Sequence, residues 1–295
     1  MTRLPLRIAS AVYRKIPIKR LREVVFNAYL RIVRKRHTVR TIEGMTFDLD
    51  LSEMIDVGVF LEQYERDLVR AIESLCRPGC CVFDIGANVG AHTLRFGKLT
   101  GPTGSVYAFE PTTYAYRKLV RNLELNQFHH VHPFQIALGE TNAPNQQVRF
   151  RSSWRSDGRH EVGESTVDLV TLDIWCELHA IQQVDLIKLD VDGHEYPVLA
   201  GASRILASCK PVILIEAGAW HFQNAARNPF NILKELGFRF WDAKTLEEYP
   251  DPDAIRRRLP ERDEEMGVSI NLVAATTPPA LVSGAKRSSR RMADS

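Results

Sequence analysis

Two groups of residues in this chain have types and spacings that suit chemistry. The first is Asp84-Ile85-Gly86-Ala87-Asn88-Val89-Gly90, followed by Glu110 after the apolar run Val106-Tyr107-Ala108-Phe109. A glycine turn brings backbone N–H groups and a helix start to a ligand. An acid after the next apolar run can accept hydrogen bonds from two ribose hydroxyls. A nicotinamide dinucleotide and S-adenosylmethionine (SAM) both carry such a ribose. The dinucleotide turn reads G-x-G-x-x-G, and its bare middle glycine lets backbone approach a pyrophosphate. Here Asn88 puts a side chain at that middle place, and Asp84 adds a carboxylate just before the turn. Both features are unfavourable for a diphosphate, and Asp84 suits the cationic amino-acid end of SAM. The second group is Asp190, Asp192, His194 and Glu195, crowded at the end of the run Asp185 to Val191.

The elements that must position these groups read as alternating strands and helices. Val82 onward is a first strand, and His92 to Lys98 is a short helical stretch closed by Thr100-Gly101-Pro102-Thr103-Gly104. Ser105 to Glu110 reads as a second strand. Thr113 to Asn126 places Ala115, Leu119, Val120 and Leu123 at helical spacing. Val131 to Leu138 reads as a third strand. Gly139 to Val167 is polar and punctuated by Gly, Pro and Ser, which predicts loops with a hairpin near Gln147 to Phe150. Asp185 to Val191 and Pro211 to Ala217 are the continuous apolar runs of parallel strands buried on both faces. Between them, Glu195 to Ala207 predicts one helix. Phe230 to Leu236 predicts another, stopped by Gly237. Phe238 to Asp242 and Val268 to Ala274 read as two last strands, joined by the charged connection Pro250 to Glu265. The fold class expected is α/β, a doubly wound sheet with helices on both faces and a ligand at the carboxyl ends of its strands.

Bulk properties narrow the function classes. With 295 residues, 44% of them hydrophobic and 25% charged, the chain has the composition of a globular protein with a sizeable core. Its net charge of +3 is unevenly spread. Twelve basic residues and Glu23 precede Thr41, a charge of +11, which leaves −8 for the rest. An acidic main body argues against nucleic-acid binding. Residues 1–40 are expected to form a basic helical extension, 41–277 the main domain, with Thr41 to Pro78 as a lid and helix leading into the sheet, and 278–295 a disordered tail. The apolar residues of the extension are interrupted by Arg7, Arg14 and Lys15, which excludes a signal-peptide core or a span of about 20 apolar residues. The extension can pack on the main domain or dock on an anionic membrane surface, where each Lys or Arg adds about 1 kcal/mol. A transit peptide or nucleic-acid arm is a further reading. Cys76, Cys80, Cys81, Cys176 and Cys209 are odd in number and form no C-x-x-C, so neither a disulfide framework nor a zinc site is expected. The expected location is the cytoplasm, with peripheral contact at the inner membrane surface through the basic N-terminus. His129-His130-x-His132 lacks a nearby Cys or acid partner set and reads as surface loop.

The chain resembles the FkbM family of SAM-dependent methyltransferases. Three blocks carry the resemblance: Phe83 to Gly90; Ala108-Phe109-Glu110-Pro111, with Asn122 and Asn126 on the following helix; and Val184 to Glu195, followed by Val198-Leu199-Ala200-Gly201-Ala202. The third block is the most specific, since the family reads close to D-L-I-K-x-D-V-E-G, and this chain departs from it by carrying Asp192 in place of Glu. The resemblance covers about Gly58 to Ala219. It implies a Rossmann-like, seven-stranded class I methyltransferase sheet, SAM as cofactor, and transfer of a methyl group to a hydroxyl of a sugar, glycolipid or secondary metabolite. It also implies that Gly86, Ala87, Asn88 and Gly90 form the turn beside SAM, that Asp84 faces its methionine portion, and that Glu110 grips the ribose. Ile136 and Ala137 would border the adenine, and His92 and Thr93 would begin the helix under the ligand.

Methyl transfer is an in-line displacement in which alignment supplies much of the acceleration. An alcohol must also lose its proton, and a positioned base contributes about 10²–10⁴-fold. The expected catalytic residues are His194 as base, with Asp190 or Asp192 orienting it. The alternative is that His194 is a solvated turn residue while Glu195 caps the next helix. In a rival mechanism Asp190, Asp192 and Glu216 hold Mg²⁺, which would acidify the hydroxyl. Trp220-His221 could line an acceptor pocket. Competing functions are an NAD-dependent oxidoreductase, a non-catalytic partner-binding protein that kept the fold, and an N- or rRNA-directed enzyme. The last lacks an N/D-P-P-Y-type motif after the fourth strand.

Overall fold

The computed structural model describes residues 37–154, 160–259 and 269–279. Most of the basic extension and of the C-terminal tail lies outside these residues. Strands β1 (His37–Ile42) and β2 (Met45–Asp50) form an antiparallel hairpin, followed by helices α1 (Met54–Phe60) and α2 (Arg66–Leu75). Strand β1 runs across the boundary expected at residue 40, so the main body begins earlier than its composition suggests. The alternation then proceeds through β3 (Cys81–Ile85), α3 (Ala91–Thr100), β4 (Ser105–Phe109), α4 (Thr113–Asn126) and β5 (Val131–Phe134). A side sheet contains β6 (Ala137–Leu138), β7 (Ala143–Trp154) and β8 (His160–Val170). After α5 (Leu172–Leu178) come β9 (Leu186–Leu189), α6 (Glu195–Ala200), α7 (Ser203–Cys209) and β10 (Val212–Gly218). The chain closes with α8 (Pro229–Glu235), β11 (Arg239–Asp242), β12 (Glu248–Tyr249), α9 (Pro252–Arg256) and β13 (Ser269–Ala275).

The main sheet has the order β12-β11-β13-β10-β9-β3-β4-β5. Its five central and distal strands from β10 to β5 are parallel, and β13 runs antiparallel between β10 and β11. The sheet has eight strands, of which β12 is a two-residue edge strand. Alternation along β3 shows the doubly wound layering. Val82 packs with α2, α3, α4 and the β1–β2 hairpin, while Phe83 packs on the other face with Trp175, Val198, Leu206 and Phe230. Helices on both faces therefore bury the central strands β3 and β9 almost entirely, as continuous apolar strands require.

Three local expectations are corrected. The segment Val131 to Leu138 is not one strand. Strand β5 lies at the sheet edge, where Pro133 needs no ladder partner, and after Phe134 the chain leaves to pair β6 with β8. Gly139 to Val167 is not mainly loop, because β7 and β8 form a long hairpin paired from Ala143↔Leu169 to Trp154↔His160. Helix α5 follows it, capped by the Thr171 hydroxyl accepting from the Ile174 N–H. The single helix expected over Glu195 to Ala207 is two. They break at Gly201, where a Cβ would lie 2.0 Å from the Gly139 carbonyl oxygen. No helix among the described residues is long and apolar enough to cross a membrane.

Candidate functional site

Strand register assembles the site. Ile85 pairs with Phe109 on one side and Leu189 on the other, and Leu189 pairs with Ile215. The next residues are Glu110, Gly86, Asp190 and Glu216, a row across the carboxyl ends of β4, β3, β9 and β10. All four line a cavity of about 360 Å³, a size suited to a small ligand. The cavity is closed from the N-terminal side by Met54, Ile55, Tyr64 and Glu65, and from below by Ala91 and His92 at the start of α3.

The turn between β3 and α3 is shaped by positive φ at Gly86 (79°), Asn88 (49°) and Gly90 (87°). Only glycine fits at residue 86, since a Cβ there would lie 1.8 Å from the Asp190 carbonyl oxygen. The Gly86 and Ala87 N–H groups both donate to the Phe109 carbonyl at 3.0 Å. Asn88 donates its N–H to Glu110 Oε2 at 2.9 Å, and its side-chain oxygen accepts from the Val89 N–H at 2.8 Å. Buried Asn122 on α4 donates to the Val89 carbonyl and accepts from the Asp48 N–H, both at 2.8 Å. Asn126 makes a paired contact with the backbone of Thr46. The two asparagines of the second sequence block thus lock the hairpin to the turn.

Glu110 is buried, and its second oxygen accepts from the Thr112 N–H at 2.8 Å and hydroxyl at 2.6 Å. Burial pushes its pKa above the ordinary value, opposed by the Thr112 and Asn88 donors. With three donors in place on a carboxylate of about four acceptor sites, Oε2 retains one site for a ribose hydroxyl.

Asp84 is not where the sequence reading puts it. Its carboxylate is completely buried beneath the turn and is not part of the cavity wall. Oδ2 accepts from the Thr93 hydroxyl at 2.6 Å, and Oδ1 lies 3.6 Å from Lys188 Nζ. Residue 84 lies two positions before Gly86, on the same face of the pleat but one step deeper in the sheet, level with its register partner Lys188. Lys188 donates to the Gly86 carbonyl at 2.8 Å and sits 3.3 Å from Asp190 Oδ2. Burial opposes its charge, but Asp190, Asp84 and Glu65 raise its pKa above the ordinary lysine value. Burial also raises Asp190 to about 6, with Lys188 pulling the other way. Glu216 rises further, to about 8, through burial and the Asp190 charge, although the Ser269 hydroxyl donates to it.

The loop after β9 separates the other acids. Asp192, in left-handed conformation (φ 51°), reaches the cavity wall from an exposed position. His194 does not join it. The turn at Asp192 and Gly193 sends His194 to the exposed N-cap of α6, outside the cavity lining. Glu195 is the loop's buried anchor. Its Oε1 accepts from the Val191 and Gly193 N–H groups, and its Oε2 lies 2.6 Å from His221 Nε2. Burial alone would raise Glu195, yet the His221 contact brings its pKa below the usual value. His221 accepts the Gly218 N–H on Nδ1, which leaves Nε2–H to donate to Glu195. Ile136 and Ala137 also lie outside the lining, because the chain turns away from the main sheet after Phe134.

Glu65, Tyr64 and Lys188 are lining residues the sequence reading missed. Lys188 had a visible signal, a lone cation inside the apolar run Leu186 to Leu189. Among the described residues no group of three or more His, Cys, Asp or Glu is placed to hold a metal ion. The Mg²⁺ arrangement of Asp190, Asp192 and Glu216 is therefore corrected: Lys188 and Ser269 already face the first and last of them. Five acids and one lysine line the cavity, which suits a nucleoside bearing positive charge.

Comparison with known proteins agrees with this chemistry. The methyltransferase FkbM domain matches residues 84–263. The chain is 28% identical over 189 residues to the hexuronic acid methyltransferase AglP of Haloferax volcanii, covering 62% of this chain and 71% of that protein. It is 25% identical over 164 residues to the 2-O-methyltransferase NoeI of Sinorhizobium fredii, covering 49% and 65% respectively. The crystal structure of methyltransferase FkbM from Methylobacillus flagellatus aligns with a TM-score of 0.41 and 15% identity, over 92% of this chain and 58% of that one.

Proposed function

Because the chain belongs to the FkbM methyltransferase family, we propose that its cavity holds SAM and that it methylates a hydroxyl of a sugar, glycolipid or related metabolite. The row Glu110, Gly86, Asp190 and Glu216 carries this reading, since it sets a ribose-gripping acid, a bare backbone cradle and two further acids side by side. SAM, when bound, supplies a methyl group on a sulfonium that leaves as a neutral thioether. Glu110 accepts from a ribose hydroxyl, and the Gly86 to Gly90 turn backs the nucleoside. Asp190 takes the proton from the acceptor hydroxyl. It replaces His194 in that role because Asp190 lines the cavity and His194 does not. With a pKa of about 6, Asp190 is ionised at neutral pH and basic enough to accept a proton. Lys188 fixes its orientation from 3.3 Å.

The sugar acceptor is supported by the two relatives, one a hexuronic acid methyltransferase and one a 2-O-methyltransferase. The NAD-dependent alternative is disfavoured by the acid-lined cavity, which would repel a diphosphate. Equilibrium titration with SAM and with NAD tests the donor. Saturable binding of SAM alone is expected, and binding of NAD alone would overturn it.

A further inference from the structure

The burial of Asp84 leaves the amino-acid end of SAM without its expected partner. We propose that Glu65, delivered from outside the sheet, binds the ammonium group of the methionine portion. This rests on the reading of the cavity as a SAM site.

The other acids of the cavity are committed elsewhere. Asp190 faces Lys188 at 3.3 Å. Glu216 accepts from the Ser269 hydroxyl and is held neutral around pH 7 by burial. Glu110 already receives donors from Asn88 and Thr112 on the β4 side. Asp192 lies exposed at the rim. Glu65 lines the cavity, and no Lys or Arg among the described residues pairs with it.

Its placement is built rather than incidental. Glu65 adopts a left-handed backbone (φ 38°, ψ 49°) before α2, a conformation an L-residue with a side chain rarely takes. Its Oε2 lies 2.5 Å from Nε2 of His92, which is 4% exposed, and the Tyr64 ring stacks on His92 at 5.3 Å. The His92 Nδ1 has no hydrogen-bond partner among the described residues. The Glu65 carboxylate is thus fixed in direction by a buried ring and held within electrostatic reach of Lys188, Asp190 and Glu216. Burial raises its pKa, but the His92 contact outweighs this and keeps it ionised.

Calorimetric titration with SAM and with 5′-methylthioadenosine, which keeps the nucleoside and lacks the amino-acid part, isolates the contact. Glu65→Gln is expected to weaken SAM by about 10- to 100-fold, the loss of one charge-assisted hydrogen bond, and to leave methylthioadenosine unchanged. Retained methylthioadenosine binding also reports an intact fold. Glu65→Asp, which keeps the charge, is expected to recover SAM affinity over the Gln variant. Unchanged SAM binding in Glu65→Gln, equal weakening of both ligands, or an Asp variant as weak as the Gln variant would overturn the assignment. A wild-type chain that binds neither ligand overturns the SAM reading itself, and this assignment with it.

Discussion

Asp84 and Lys188 are register partners on neighbouring strands, both buried, with Lys188 Nζ 3.6 Å from Asp84 Oδ1. The same ammonium donates to the Gly86 carbonyl, so one cation links the acid beneath the turn to the turn itself. Lys188→Met leaves Asp84 buried without its cation, which should cost about 3–5 kcal/mol. Urea denaturation measures this, and adding Asp84→Asn should restore part of the loss. A Lys188→Met protein as stable as wild type would contradict the pairing.

Gly86→Ala places a methyl group 1.8 Å from backbone that cannot yield without moving β9. SAM binding should be lost and the melting temperature lowered. Parallel titration and thermal melts check both. Ala87, by contrast, already carries a side chain in the same turn.

Glu110→Ala removes the acceptor for Asn88, for Thr112 and for the proposed ribose contact. SAM affinity should fall by about 10- to 100-fold. Adenosine should weaken in parallel, because the lost contact is to the ribose. An unchanged affinity for either ligand counts against the clamp.

The proposed role of Asp190 has a pH signature. The carboxylate accepts a proton only when ionised, so kcat/KM should rise with pH and level off above about 6. Asp190→Asn should lower kcat by about 10²–10⁴-fold and remove this limb. EDTA should leave turnover intact. A limb that persists in the Asn variant assigns the titration to another group.

Glu216 links pH to stability. Its native pKa, about 8, lies above the ordinary 4.5, so between these values the native state holds a proton the unfolded chain has released. Stability from this group is therefore full below about 4.5 and is lost as pH rises through about 8. Glu216→Gln should flatten that decline in urea midpoints measured across the window. A wild-type midpoint that rises through the same range would contradict the burial argument.

Much of the frame was legible in the residues, because strands buried on both faces advertise themselves. Leu186 to Leu189 and Val212 to Ala217 are nearly continuous apolar runs, and the turn at Gly86 has no other use for two glycines around an asparagine. The site was legible only where it lies on those strands. Asp190 and Glu110 follow the last paired residues of β9 and β4, so their positions could be read from the motif. Glu65 could not be found that way, since it reaches the cavity from before β3 through a contact with His92. His194 sits four residues beyond Asp190, yet the left-handed turn at Asp192 and Gly193 sends it outward. The β7–β8 hairpin was hidden for another reason: a two-stranded ribbon rich in polar residues gives no buried run to recognise.

The central claim, methyl transfer from SAM to a hydroxyl oxygen, is tested most directly by following the methyl group. The chain is incubated with SAM carrying a deuterated methyl group and a panel of neutral and uronic sugars and glycolipids, and products are read by mass spectrometry and NMR. The expected result is one labelled O-methyl ether formed by wild type and lost in Asp190→Asn. Label found on nitrogen or carbon, or no labelled product from any acceptor while SAM binds, would contradict the account.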